Sequence, residues 1–148
     1  MYTLKRIIRI PGSLDDVFAF FNRPENLDKV TPAFLGFTIL TPSPLKLHNG
    51  AVFDYQVRLM GLPMRWTSVI TNYEPPHQFV DIQLKGPYAF WHHKHSFEPK
   101  EDGVDVIDEV HYEVGYSLLG GVLHSLVIKH QLNMIFSHRE KVMRTLFP

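Results

Sequence analysis

The chain holds nine histidines and no cysteine, so metal, acid–base or nucleophilic chemistry has to be built from imidazoles, carboxylates and hydroxyls. The densest chemical signal is Trp91-His92-His93-Lys94-His95-Ser96-Phe97. Alternate residues of a strand share a face, which sets His93 and His95 beside Ala89, Trp91 and Phe97, on the side that carries no charged amine. The second signal is Asp108, the lone carboxylate in the alternating set Val104, Val106, Asp108, Val110, Tyr112, Val114, Tyr116. Burying it without a partner is costly, and a hairpin closed through 99–103 brings it opposite either His93 or His95. Three chemistries are open to that juxtaposition. It is a satisfied core pair that fixes strand register; or it orients the polar group of a ligand or moves a proton; or the H-x-H pair binds a metal with His130 or Asp108 as a third ligand. The core pairing already satisfies Asp108, so no metal ion is expected. No catalytic residue is assigned; the candidates are His93, His95 and Asp108.

Other chemistries lack their signatures. No serine sits in a G-x-S-x-G turn, and there is no glycine-rich phosphate loop or dinucleotide fingerprint. Asp81 and Gln83 alternate with Val80, Ile82 and Leu84, and the apolar parity is expected to face inward, leaving both polar residues in solvent. A bulge near Gly86-Pro87 would turn them into the pocket instead.

The elements that must position these side chains follow from periodicity. Residues 2–10 alternate as a half-buried strand, and Pro11-Gly12 ends it. Ser13 three residues before Asp16 marks a helix start, and Leu14, Val17, Phe18 and Phe21 give an apolar stripe over 13–22. Pro24 opens a second short helix through Val30. Six β-like runs follow: 34–41, 50–60, 64–73, 79–85, 88–98 and 104–116. No helical period interrupts them, which demands an antiparallel sheet. A tight turn at Gly61-Leu62 sets Leu59 opposite Met64, Val57 opposite Trp66, Tyr55 opposite Ser68 and Phe53 opposite Ile70. These form the inner face, with Asp54, Arg58, Arg65 and Thr67 outside. Gly120-Gly121 precedes a long helix, 122–146, whose apolar face comprises Leu123, Val127, Met134, Ile135, Val142, Met143 and Leu146. The predicted class is α+β: a curved antiparallel sheet of about seven strands with the long C-terminal helix across its concave face and two short helices after the first strand. A helix cannot fill a strongly curved sheet, so a cavity is expected between them.

Composition narrows the function. A length of 148 residues fits one domain spanning 1–148, and 45% hydrophobic residues with 11 Phe, 6 Tyr and 2 Trp exclude disorder. Fifteen Lys and Arg balance fifteen Asp and Glu, which argues against nucleic acid as a partner. The N-terminus lacks the apolar stretch of a signal peptide, and 122–136 is interrupted by Lys129 and His130 and is too short to span a bilayer. With no cysteine to oxidise, a soluble cytoplasmic protein is expected.

Phe21-Asn22-Arg23-Pro24-Glu25-Asn26-Leu27, Thr31-Pro32, Gly61-Leu62-Pro63-Met64-Arg65-Trp66, Gly86-Pro87-Tyr88 and the Trp91–Phe97 run, followed by Asp108 and Tyr112, resemble the SRPBCC superfamily. It includes START lipid-transfer domains, birch-pollen-type allergens and aromatic polyketide cyclases. The likeness covers essentially the whole chain and is greatest to the cyclase/dehydrase-like and enediyne-resistance-like branch. The resemblance implies a helix-grip fold with a hydrophobic cavity for lipids, polyketides or other apolar molecules, and no metal or organic cofactor. Catalytic residues vary between its subfamilies, so no catalytic set carries over. The expected ligand walls are Phe53, Tyr55, Trp66, Trp91, Val110, Tyr112, Val127 and Met134, with His93, His95 and Asp108 orienting one polar group. The alternative is a cyclase or dehydratase in which the His–Asp pair moves a proton and Tyr55 or Tyr112 steadies an enolate.

Overall fold

A computed structural model describes residues 1–59, 61–115 and 122–148, with side chains in the last stretch from residue 126 onward. Strand β1 (Tyr2–Ile10) buries Ile8 and Ile10 and exposes Ile7. Helix α1 (Leu14–Phe21) starts where the sequence places it: the Ser13 hydroxyl accepts the Asp16 backbone N–H at 3.1 Å. Asp15 and Asp16 in the first turn complement the positive end of the helix dipole. A 3₁₀ helix follows at Pro24–Val30.

The strand expected over 34–41 shrinks to β2 (Thr38–Ile39). Its first half is consumed by a 3₁₀ turn, Ala33–Leu35, which closes on Gly36 in the left-handed conformation at φ 51°. Strands β3 (Val52–Leu59), β4 (Leu62–Glu74), β5 (Gln78–Lys85), β6 (Tyr88–Lys100) and β7 (Gly103–Val114) and helix α2 (Val122–Leu146) complete the chain. Seven antiparallel strands form one sheet in the order β1-β7-β6-β5-β4-β3-β2, as the α+β reading requires. Tyr116 and Gly120-Gly121, assigned above to a strand end and a break, lie outside the described residues.

Two registers decide what faces the interior. In the β3–β4 hairpin the inner set is as predicted, but the pairs are Leu59↔Leu62, Val57↔Met64, Tyr55↔Trp66 and Phe53↔Ser68. The connection is two residues, with Gly61 at φ 81°, and not the longer loop that the expected pairs imply. The slip is two residues, so no side chain changes face. On β5 the expectation is overturned: Asp81 pairs with Ile70 on one side and His93 on the other, both inward residues, so Phe79 and Asp81 share the inner face. Val80 is also buried, at 3% exposure, on the opposite face; apolar content alone misassigned this strand. Gln83 closes the β5–β6 turn, its amide N–H donating to the Tyr88 carbonyl at 2.8 Å and its amide oxygen accepting the Tyr88 N–H at 3.1 Å.

The β6–β7 turn is clamped to β1. Gly103 has φ +151°, and a Cβ there would collide with the Ile10 carbonyl oxygen. Arg9 donates to Asp102 at 2.6 Å and also to Asp105. Helix α2 crosses the inner face of β1, β7 and β6: Arg6 donates to Asn133 at 3.1 Å, and the Phe136 ring lies 5.7 Å from that of His93.

Candidate functional site

A cavity of about 180 Å³ lies between the sheet, the Pro24–Val30 helix and α2. Its wall is mostly apolar and rich in aromatic rings. Trp66 on β4 and Trp91 on β6 meet edge to face at 5.1 Å, and Tyr88 packs on both indoles at 5.5 and 4.8 Å. Phe53 and Tyr55 on β3, Phe79 on β5, and Leu132, Ile135 and Phe136 on α2 continue the lining. Single aromatic molecules occupy apolar cavities of roughly 150 Å³ in proteins, so the space suits one or two fused rings without rearrangement.

One part of the wall is polar. His93 and His95 project inward from β6 as an i, i+2 pair, their rings stacked 3.7 Å apart at 26°. A carboxylate stands at each end of the stack. Asp108 Oδ1 is 2.7 Å from His93 Nε2 and 3.5 Å from His95 Nδ1; Asp81 Oδ2 is 2.6 Å from His95 Nε2 and 3.6 Å from His93 Nδ1. The strand register pairs Asp108 with His95 and Asp81 with His93, yet each short contact is to the other histidine, so each carboxylate reaches diagonally. Arg139 of α2 completes the cluster, donating to Asp108 at 3.4 Å. Asp81, His93, His95 and Arg139 line the cavity, while Asp108 stands behind them.

All five groups are largely removed from water; His93, His95, Asp108 and Arg139 are each below a tenth exposed. Burial raises the Asp108 carboxyl, but the hydrogen bond from His93 and the positive charge of Arg139 outweigh it and hold it well below the carboxylate range. The Asp81 carboxyl is likewise held low against its burial by the hydrogen bond from His95. Burial, reinforced by its neighbour His93, lowers the His95 ring from 6.5 to about 4. Burial and, secondarily, the charge of Asp81 push the Tyr55 phenol up.

The expected ligand residues divide into three groups. Phe53, Tyr55, Trp66, Trp91, His93 and His95 stand on the cavity wall. Asp108, Val110 and Tyr112 are buried but off it, Val110 and Tyr112 in the cluster that packs β6 and β7 against α2. Val127 and Met134 are corrected: they are 44% and 46% exposed. The buried stripe of α2 is Leu132, Phe136, Arg139 and Met143, and at 100° per residue positions 127 and 134 fall away from it. Leu146 is exposed too, and Leu123 lies outside the described side chains. His130 is exposed and takes no part in the cluster. The sequence reading missed Arg139, whose signal was a guanidinium at i+3 from Phe136 and i−4 from Met143 within the apolar stripe. It also set Asp81 in solvent; its parity with Phe79 was the available sign.

The comparisons with known proteins agree with this architecture. Residues 10–135 match the family model described as polyketide cyclase / dehydrase and lipid transport. No curated protein matches the chain by sequence. Among solved structures, a protein of Thermus thermophilus superposes with a TM-score of 0.74 at 15% identity, covering 99% of this chain and 100% of that one. A START superfamily protein of Mycobacterium smegmatis gives 0.71 at 13% identity, covering 97% and 98%. The di-domain ARO/CYC StfQ of the steffimycin biosynthetic pathway gives 0.70 at 15% identity, covering 98% of this chain and 50% of that one. At such identities the structures speak for the fold, and the matched span, which holds both histidines and both carboxylates of the cluster, speaks for descent: the chain belongs to the polyketide cyclase / dehydrase and lipid transport family.

Proposed function

We propose that the protein binds an apolar or amphipathic small molecule, of the lipid, polyketide or aromatic-metabolite kind, in the cavity between sheet and α2. The supporting observation is the division of the wall: two indoles and a ring of phenyl and phenol groups for the apolar body, and Asp81, His95 and Arg139 for one polar group. Such a wall buries a ligand by area and orients it by a few placed polar atoms. A net charge of zero argues against nucleic acid as the partner. No helix among the described residues is long and apolar enough to cross a membrane, and the absence of cysteine supports work in the cytoplasm.

A cyclase or dehydratase reading has one observation in its favour, an imidazole–carboxylate pair, His95 and Asp81, on the cavity wall. Two observations weigh the other way. Both nitrogens of His95 face carboxylates, and a ring held near 4 is a weak base at neutral pH, far from the match that general-base catalysis favours. Tyr112, offered as an enolate partner, is off the wall; Tyr55 is on it.

The test is uptake of 2-naphthol followed by its fluorescence. Trp66→Ala and Trp91→Ala should each weaken uptake severalfold while circular dichroism keeps the native spectrum. Unchanged affinity in both folded variants would sink the cavity as the binding site.

A further inference from the structure

The stacked histidines leave an imbalance that hydrogen bonding alone does not resolve. Each ring turns one nitrogen toward Asp81 and the other toward Asp108. If His95 donates Nε2–H to Asp81 at 2.6 Å, its Nδ1 carries a lone pair facing the Asp108 carboxylate at 3.5 Å, acceptor against acceptor. That Nδ1 is buried and has no hydrogen-bond partner. Buried polar atoms in folded proteins are nearly always paired, and an unpaired one aimed along such a cluster points to something the side chains receive.

We propose that Asp81, His93 and His95 bind one divalent first-row transition ion of the zinc, cobalt or ferrous class at the cavity end of the stack. The three offer one ligand atom each, all within 4.8 Å of one another: His93 Nδ1, His95 Nε2 and an Asp81 oxygen. Two imidazoles and one carboxylate are borderline ligands that suit these ions better than calcium or magnesium. Coordination through Nε2 moves the His95 proton to Nδ1, where it faces Asp108; His93 bound through Nδ1 keeps its Nε2–H on Asp108 at 2.7 Å. Every ring nitrogen then has a partner. Asp108 becomes the outer carboxylate that orients both ligating rings, the arrangement usual around protein-bound metals, and Arg139 donates to it from the cavity wall.

The geometry asks for a modest adjustment. Ligand atoms about 2.1 Å from a shared ion stand roughly 3.0–3.4 Å apart. His93 Nδ1 and Asp81 Oδ2 are already at 3.6 Å, the 2.6 Å hydrogen bond between Asp81 and His95 must open by about half an ångström, and the widest pair of the three, within 4.8 Å, must draw in. The remaining coordination positions face the cavity, where an oxygen of the bound molecule or water would take them. The expectation of no metal rested on Asp108 being satisfied by a histidine and on a resemblance that implies none. That pairing stands, and the inward turn of Asp81 adds the third ligand that His130 was invoked to supply.

This inference does not depend on the proposed function, and its test measures the ion alone. Untagged, chelator-treated protein is titrated with Co²⁺ and read by visible absorption, with Zn²⁺ competition giving the affinity. The expected result is one equivalent per chain with ligand-field bands between about 500 and 650 nm, as nitrogen and oxygen ligands give. Asp81→Asn and His95→Gln should each weaken binding at least about a hundredfold, and Asp108→Asn, which leaves all three ligands in place, by roughly 10–100-fold. His92→Gln with His111→Gln, the histidine pair on the opposite face of the sheet, should change nothing. Failure of the folded parent to take up Co²⁺ at about 100 µM overturns the proposal. So does binding that survives Asp81→Asn or is lost in the His92/His111 variant.

Discussion

Asp108 is the residue on which the cluster depends. It accepts from His93 and Arg139 with almost no access to water, so Asp108→Ala leaves a guanidinium and an imidazole buried and unpaired. Removing one partner of a buried ion pair costs about 3–5 kcal/mol, and urea denaturation of the alanine variant should show a loss in that range. A variant as stable as the parent would contradict the burial assigned to β7. Replacing Asp108, His93 and Arg139 together with leucine, leucine and methionine should recover most of the loss, because neither the imidazole nor the guanidinium that Asp108 pairs is then left buried without it. The same triple variant should fail to orient a ligand, which shows as weakened 2-naphthol uptake in a stable protein.

His95 makes a second prediction at this scale. Its ring titrates near 4 when folded and near 6.5 when unfolded, so the unfolded chain takes up a proton first as pH falls. Stability is therefore full above about 6.5 and declines toward pH 4. In chelator-treated protein the melting temperature should fall across that window, and His95→Asn should flatten the decline. An equal slope in the variant would contradict the buried neutral ring.

At the scale of elements, the β6–β7 hairpin is the member that sets the geometry. It carries both histidines and Asp108, and its turn is pressed against the end of β1 at Gly103. Gly103→Ala combines a disfavoured φ with a clash against the Ile10 carbonyl and should cost on the order of 1–3 kcal/mol, with hydrogen exchange quickening first in β1. A neutral effect on the melting temperature would mean that β1 does not seat on the turn. This hairpin was also the most legible element in the sequence, because thirteen residues of β6 and twelve of β7 alternate with little interruption. β5 was the least legible. Val80 and Phe79 are both buried, so hydrophobicity could not choose a face, and the choice came from pairing with Ile70 and His93, contacts distant in sequence. The α2 face was misread for a related reason: the helix carries apolar residues on more than one side, and only packing against β6 and β7 selects Leu132 and Phe136 over Val127 and Met134.

At the scale of the molecule, strand count, the antiparallel arrangement and the placement of α2 follow from turn chemistry and periodicity that the sequence shows plainly, whereas the pairing of β1 with β7 is not announced by either. The polar cluster was half legible. His93, His95 and Asp108 share a face by alternation within one hairpin, whereas Asp81 and Arg139 arrive from another strand and the final helix, and no local pattern announces that convergence. What unites these scales is a cavity whose apolar wall and polar end belong to one ligand site. The chain's two tryptophans, Trp66 and Trp91, both stand on that wall, so two-dimensional NMR of ¹⁵N-labelled protein gives two indole N–H signals that report on it alone. Titration with 2-naphthol should move both signals together and saturably at a stoichiometry of one. Two unmoved indole signals, with shifts confined to surface amides, would contradict the assignment of ligand binding to the interior.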